Sequence, residues 1–322
     1  MLKCGGFFFS GTVLLMKYTK PALSFEQQAK LLISRGLNAD QTFLASRLND
    51  VNYYRLSAYW HSFRQKKTEI LQTDTSFDVV WDRYVFDRQL RLLIMDAIER
   101  IEVSVKTRLA NIIALQNGPF GHLNPENLPG IPRDQHDFLL DKISREMLHS
   151  KEPFIAHYLS KYSSEKQLPI WMAVEIMDFG AMLTLFRATD QYTKRHIATD
   201  YGLRAGVLES WLLTLNYVRN LCAHHGRMWN RTLPVAPLIP DQRNTIEFHV
   251  PVEIPTNNTF TVLTILLYLL SRVAPQSGWQ HRLRALWIDK HPQIPIRIMG
   301  FPENWTECPI WKSEKTTHPR AS

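Results

Sequence analysis

The chain has 322 residues, of which 45% are hydrophobic and 21% charged, an ordinary globular balance that excludes disorder over most of its length. Lys and Arg outnumber Asp and Glu to give a formal net charge of +8, which favours polyanionic partners because neutralised phosphates drive nucleic-acid binding. The three cysteines, Cys4, Cys222 and Cys308, are widely spaced without a C-x-x-C pair. They argue against a disulfide framework or a zinc site and fit a reducing, cytoplasmic compartment.

Residues 1 to 16 read MLKCGGFFFSGTVLLM. One Lys before an apolar stretch resembles a signal peptide, but Lys17, Lys20 and Pro21 follow in place of a small-residue cleavage site. The expectation is an N-terminal extension with Met16 as the true start. Ser24 followed by Gln27 forms a capping box for a helix over Phe25 to Ser34 that stops near Gly36, and Asp40 caps a second helix through Leu48. The aromatic run VNYYRLSAYW at 51–60 reads first as core packing with polar tips and second as a base-stacking surface.

From Ser76, Leu90, Ile94, Ala97, Ile98, Ile101, Val105, Leu109 and Ile112 recur at helical spacing. Asp87 with Arg91, Asp96 with Arg100, and Glu102 with Lys106 are four apart and are expected on a solvated face. Residues 118–133 form a Pro- and Gly-bearing loop, followed by a helix over Asp134 to Leu148. A helix starting near Pro169 carries Trp171, Val174, Met177 and Phe179, and a short one covers Tyr192 to Asp200. Leu208 to about His224 is helical, with Leu212, Leu215, Val218 and Cys222 as core candidates. Ile246, Phe248, Val250, Val252 and Ile254 alternate as a strand would, an edge strand given Pro251 and Pro255. Helices are expected over Phe260 to Val273 and Trp279 to Asp289. The Val262 to Leu270 stretch is too short to span a bilayer and reads as a buried helix. The expected fold is thus mainly α with a short C-terminal β element. Its parts are an extension at 1–16, a helical domain over 17–240, a helical and extended part over 241–300 on the same domain, and a loose tail over 301–322.

One segment stands apart. Residues 216–231 hold three Arg, two adjacent His and three Asn, with no Asp or Glu between Glu209 and Asp241. A local positive site without counter-charges suits a phosphate, and histidine is the side chain best able to move protons near neutral pH. Asn220 and His224, four apart, share a helix face, whereas Arg219 lies about 140° round from His224. That mismatch is resolved if the helix ends there, if the guanidinium reaches around, or if a second subunit completes the site. Gly226 suits a helix end at His224 or His225. Were the helix to continue, Arg227 and Arg231 would lie one and two turns beyond His224 on the same side. Two adjacent histidines diverge on a helix, which counts against metal ligation and against His225 as a second proton-transfer group. A structural alternative has Arg219 and His224 satisfying carboxylates such as Asp87 or Glu175.

Arg219-Asn220-x-x-x-His224 resembles the R-polar-x-x-x-H motif of HEPN-type ribonucleases. RNLCAHHGRMWNR at 219–231 is more specific and resembles the signature of the Abi-2 (AbiD/AbiF-like) abortive-infection family. The likeness extends through KPALSFEQQAKLL at 20–32, VNYYRLSAYW at 51–60, FDRQLRLLIMDAIERIEV at 86–103 and WMAVEIMDFG at 171–180. The resemblance implies a HEPN-like helical bundle, a homodimer that sets two motif helices side by side, and metal-independent RNA cleavage without a cofactor. By that resemblance, His224 is the general acid or base, Arg219 neutralises the scissile phosphate and Asn220 orients one of them. His225, Arg227, Asn230 and Arg231 are the candidate RNA-binding residues. Expected partners are RNA, a second copy of the chain and an antitoxin RNA or protein, with no membrane. The alternative is a non-catalytic RNA-binding or scaffold module regulated by a small RNA or a partner protein.

Overall fold

The computed structural model describes residues 19–243 and 245–312, so the extension at 1–16 and residues 313–322 lie outside the described residues. The described residues are mainly helical, with no strand beyond the isolated bridges Asn38–Ser76 and Arg64–Leu71. They group into two compact units, one ending at Trp81 and one starting at Asp82.

In the first unit, α1 (Phe25–Ser34) begins with the expected capping box: the Gln27 N–H donates to Ser24 Oγ at 3.3 Å and the Ser24 N–H to Gln27 Oε1 at 2.8 Å. Gly36, at φ +97°, turns the chain out of it. Asp40 caps α2 (Gln41–Asp50) through the Phe43 N–H at 2.7 Å. The two helices pack through Ala29, Leu32, Leu44 and Leu48, all buried. In α3 (Tyr53–Trp60) the aromatic run divides, with Tyr59 and Trp60 buried and Tyr54 exposed.

In the second unit, α4 (Phe77–Asn117, which starts in the first unit) buries Leu90, Ile94, Ala97, Ile98, Ile101, Val105 and Leu109 as expected. Ile113, rather than Ile112, closes the stripe. The three ion pairs are not a uniform solvated face. Asp87 is fully buried and Arg91 nearly so, and Lys106 is buried, pairing with Glu102 at 2.7 Å and donating to the Met177 carbonyl. Asp96 with Arg100 is the pair that stays partly open. The later helices are α5 (Arg133–His149), α6 (Pro153–Lys161), α7 (Ile170–Ile176), α8 (Phe179–Ala188), α9 (Gln191–Asp200), α10 (Ala205–Ala223), α11 (Thr259–Val273) and α12 (Trp279–Ala285). The helix expected from Pro169 is two, because Asp178 accepts the Ala181 N–H at 2.7 Å and restarts the ladder as an N-cap.

α10 packs against α8 and α9 and buries Leu208, Trp211, Leu212, Leu215, Val218 and Cys222. Each fully buried aliphatic side chain contributes about 1.5–3 kcal/mol, which fixes the helix as a rigid support. α11 is buried on all sides from Thr259 to Leu270.

The expected β element over 246–254 is corrected. Ile246–Phe248 forms a 3₁₀ turn, and no strand occurs among the described residues. Phe248, Val252 and Ile254 are buried whereas Ile246 and Val250 are half exposed, and Pro251 removes a ladder donor where there is no neighbouring strand to pair with. Residues 301–312 are packed rather than loose. Trp311 is fully buried, stacks on Phe260 with centroids 5.4 Å apart, and donates its indole N–H to Thr264 Oγ1 at 2.9 Å.

Candidate active site

The segment singled out above lies at the C-terminal end of α10. Arg219 and Asn220 sit in its last turns, and the Arg219 Nη1 donates to Asn220 Oδ1 at 3.3 Å. His224 is the C-cap, exposed, with its N–H donating to the Asn220 carbonyl at 3.0 Å. The helix therefore stops at the motif histidine.

It stops by a closed geometry. The His225 N–H donates to the Cys222 carbonyl at 3.0 Å and the Gly226 N–H to the Leu221 carbonyl at 2.7 Å, with His225 left-handed at φ +56°. This is a Schellman end, and it satisfies two carbonyls that α10 leaves without amide partners. Gly226 is required by closeness: a Cβ there would stand 2.2 Å from Leu221 Cδ1 and 3.0 Å from the Leu221 carbonyl oxygen.

Beyond the cap the chain does not continue as helix, so Arg227 and Arg231 are not stacked one and two turns past His224. Arg227 is half-buried. Arg231 folds back on α10, where its Nη2 donates to the Tyr217 hydroxyl at 3.0 Å and its Nη1 to the Arg227 carbonyl at 3.4 Å. Asn230 is exposed and left-handed at φ +50°.

The turn is held from behind by a residue that sequence reasoning set aside. Asp87, on α4, accepts the Met228 N–H at 3.1 Å and the Trp229 N–H at 2.6 Å, and it also receives the Arg91 guanidinium. Trp229 is buried, with the Arg83 guanidinium 4.9 Å from its ring centroid. A signal for this role exists in the sequence: Asp87 is three residues before Leu90 and seven before Ile94, which puts it on the apolar stripe. Cys222 faces the same interior. Burial pushes its thiol up to about 12, the Asp87 charge adding to the rise and Arg91 opposing it, so the thiol is inert.

Asp178 is a charged neighbour of Arg219. Burial raises the Asp178 carboxyl, but hydrogen bonds from Lys142 at 2.7 Å and from the Ala181 N–H outweigh it. With the charges of Lys142 and Arg219 they hold it below the usual carboxylate range. Lys142 and Arg219 thus bring two cations around one carboxylate beside the motif. Asn216 completes the edge, its Oδ1 lying 3.9 Å from where a Cβ on Gly180 would be. Among the described residues, no three His, Cys, Asp or Glu side chains gather as a metal-holding set, and no helix is long and apolar enough to cross a membrane.

A family model described as Abi-like protein matches residues 46–230, which take in α4, Asp178 and the whole of α10 with its cap. No curated protein and no solved structure matches the chain.

Proposed function

The chain belongs to the Abi-like protein family, and from that premise we propose that it acts in abortive infection as a HEPN-type endoribonuclease that cleaves RNA without a metal. The observation that carries the reading is the Arg219–Asn220–His224 set at the closed end of α10, with Asn220 and His224 exposed and Arg219 half-buried, inside the matched region. RNA brings its own nucleophile, the 2′-hydroxyl. A protein then needs a proton acceptor, a proton donor and a cation for the charge that develops on the phosphorane. His224 takes the first role, as base. Arg219, its guanidinium steadied by Asn220, takes the third. The products are a 2′,3′-cyclic phosphate and a 5′-hydroxyl. Arg227, Asn230, Arg231 and His225 border the strand.

A second copy of the chain fits this reading. Arg219 and His224 are five residues apart on one helix, and two motif helices related by a two-fold axis offer one phosphate a group from each chain. Expression in the cytoplasm, an RNA target and restraint by an antitoxin RNA or protein belong to the same proposal. The experiment is purified protein with total RNA in EDTA, beside induction in growing cells. Cleavage in EDTA with growth arrest, both lost in His224→Ala, supports the ribonuclease. RNA binding without cleavage supports the scaffold alternative.

A further inference from the structure

We propose that His225 is the second proton-transfer group of this site, the acid that protonates the departing 5′-oxygen; this rests on the ribonuclease reading of His224. On a continuous helix, neighbouring histidines point apart. That holds only where both residues continue a helix, and α10 ends at Ala223: His224 is the C-cap at φ −87°, and His225 lies in the left-handed region at φ +56°. Both are exposed.

The backbone points to a function for this choice. The residue after a helix C-cap, where the chain turns left-handed, is glycine's usual place, because a Cβ there is crowded. This chain has a glycine one residue later, where closeness to Leu221 requires it, and sets a histidine at the left-handed position. Among the described residues four non-glycine residues have positive φ, Lys67, Asp74, His225 and Asn230, and two of them fall within six residues of each other beside the motif. Left-handed non-glycine residues cluster at functional sites, and these two follow the motif.

The step balances. The 2′-oxygen attacks phosphorus and gives its proton to His224, the P–O5′ bond breaks, and the 5′-oxygen takes a proton from His225. Arg219 faces the non-bridging oxygens. The rings are left with exchanged protonation states, which solvent restores.

His225→Gly tests this with the left-handed turn kept, since glycine takes that conformation without strain, and its melt is recorded beside its activity. His225→Asn, whose side chain tolerates the same backbone but cannot donate as an acid, is the second variant. Each is assayed on ordinary RNA and on the same RNA with a 5′-bridging sulfur at the cleaved bond, a leaving group that needs no proton. We expect His225→Gly to melt no lower than wild type, to cleave ordinary RNA at least about 100-fold more slowly, and to cleave the sulfur-bridged RNA near the wild-type rate. His224→Ala stays slow on both. Wild-type rates in His225→Gly on ordinary RNA, equal slowing on both substrates, or rescue by sulfur in His224→Ala alone would each overturn the assignment. A wild-type chain that leaves both RNAs intact removes the ribonuclease reading itself, and the role of His225 with it.

Discussion

The backbone N–H of Trp229 donates to Asp87 Oδ1 at 2.6 Å, which ties the turn after the motif helix to the N-terminal third of α4. A carboxylate with no solvent exposure is stable there because two amides and a guanidinium replace its water. The arrangement gives Asp87 the task of holding the turn, while His224 before it stays exposed.

Asp87→Ala is therefore expected to destabilise the fold strongly, by about 3–5 kcal/mol, since it strips a buried guanidinium and two amides of their carboxylate. Asp87→Asn, which keeps an acceptor for one amide and the side-chain volume, is expected to lose less. Denaturant melts of the two variants check this. Equal and small losses would show that the anchor contributes little.

His122 makes the fold sensitive to mild acid. Burial, with the neighbouring His136 adding, depresses it from the ordinary 6.5 to about 4, so the folded chain holds it neutral while the unfolded chain protonates it. The stability this contributes is complete above 6.5 and declines as pH falls toward about 4, by about 1.4 kcal/mol per pH unit. His122→Gln is expected to flatten that part of the curve. Melting temperatures of the two proteins between pH 7 and pH 4 test it; parallel curves would contradict it.

Both arginines past the cap are expected to contribute to RNA binding. Arg227→Ala should weaken RNA binding and reduce the log–log salt slope by about one. Arg231 is committed to the Tyr217 hydroxyl and the Arg227 carbonyl. Its loss should lower thermal stability as well as affinity. Binding isotherms over a salt series, with melts of the same samples, distinguish the two. An Arg231→Ala variant that melts like wild type would contradict the contacts described.

Much of this was legible in sequence, for identifiable reasons. The 3.6-residue period gave α4 and α10 with their buried residues, and Ser24 and Asp40 marked the starts of α1 and α2, because caps and periodicity are local. Gly226 signalled the end of α10 at His224. What escaped depended on partners distant in the chain. Asp87 with Arg91 has the spacing of a surface ion pair, and only the backbone of Met228 and Trp229, far along the sequence, makes it a buried clamp. Alternation over 246–254 resembled a strand, but a strand needs a neighbour and none is there. The tail at 301–312 lacks periodicity because its order comes from Trp311 stacked against α11. The left-handed turn falls at His225 and not at the glycine one residue later, a choice that residue type alone does not reveal.

The central claim is that His224 moves the proton in RNA cleavage while the cations around it bind the strand. Cleavage rate and equilibrium affinity, measured on one RNA in EDTA for wild type and His224→Ala, test it most directly. The account predicts a rate lower by about 10²–10⁴ with affinity and melting temperature nearly unchanged. A variant that cleaves at the wild-type rate would contradict it, and one that fails to fold would make His224 a structural residue.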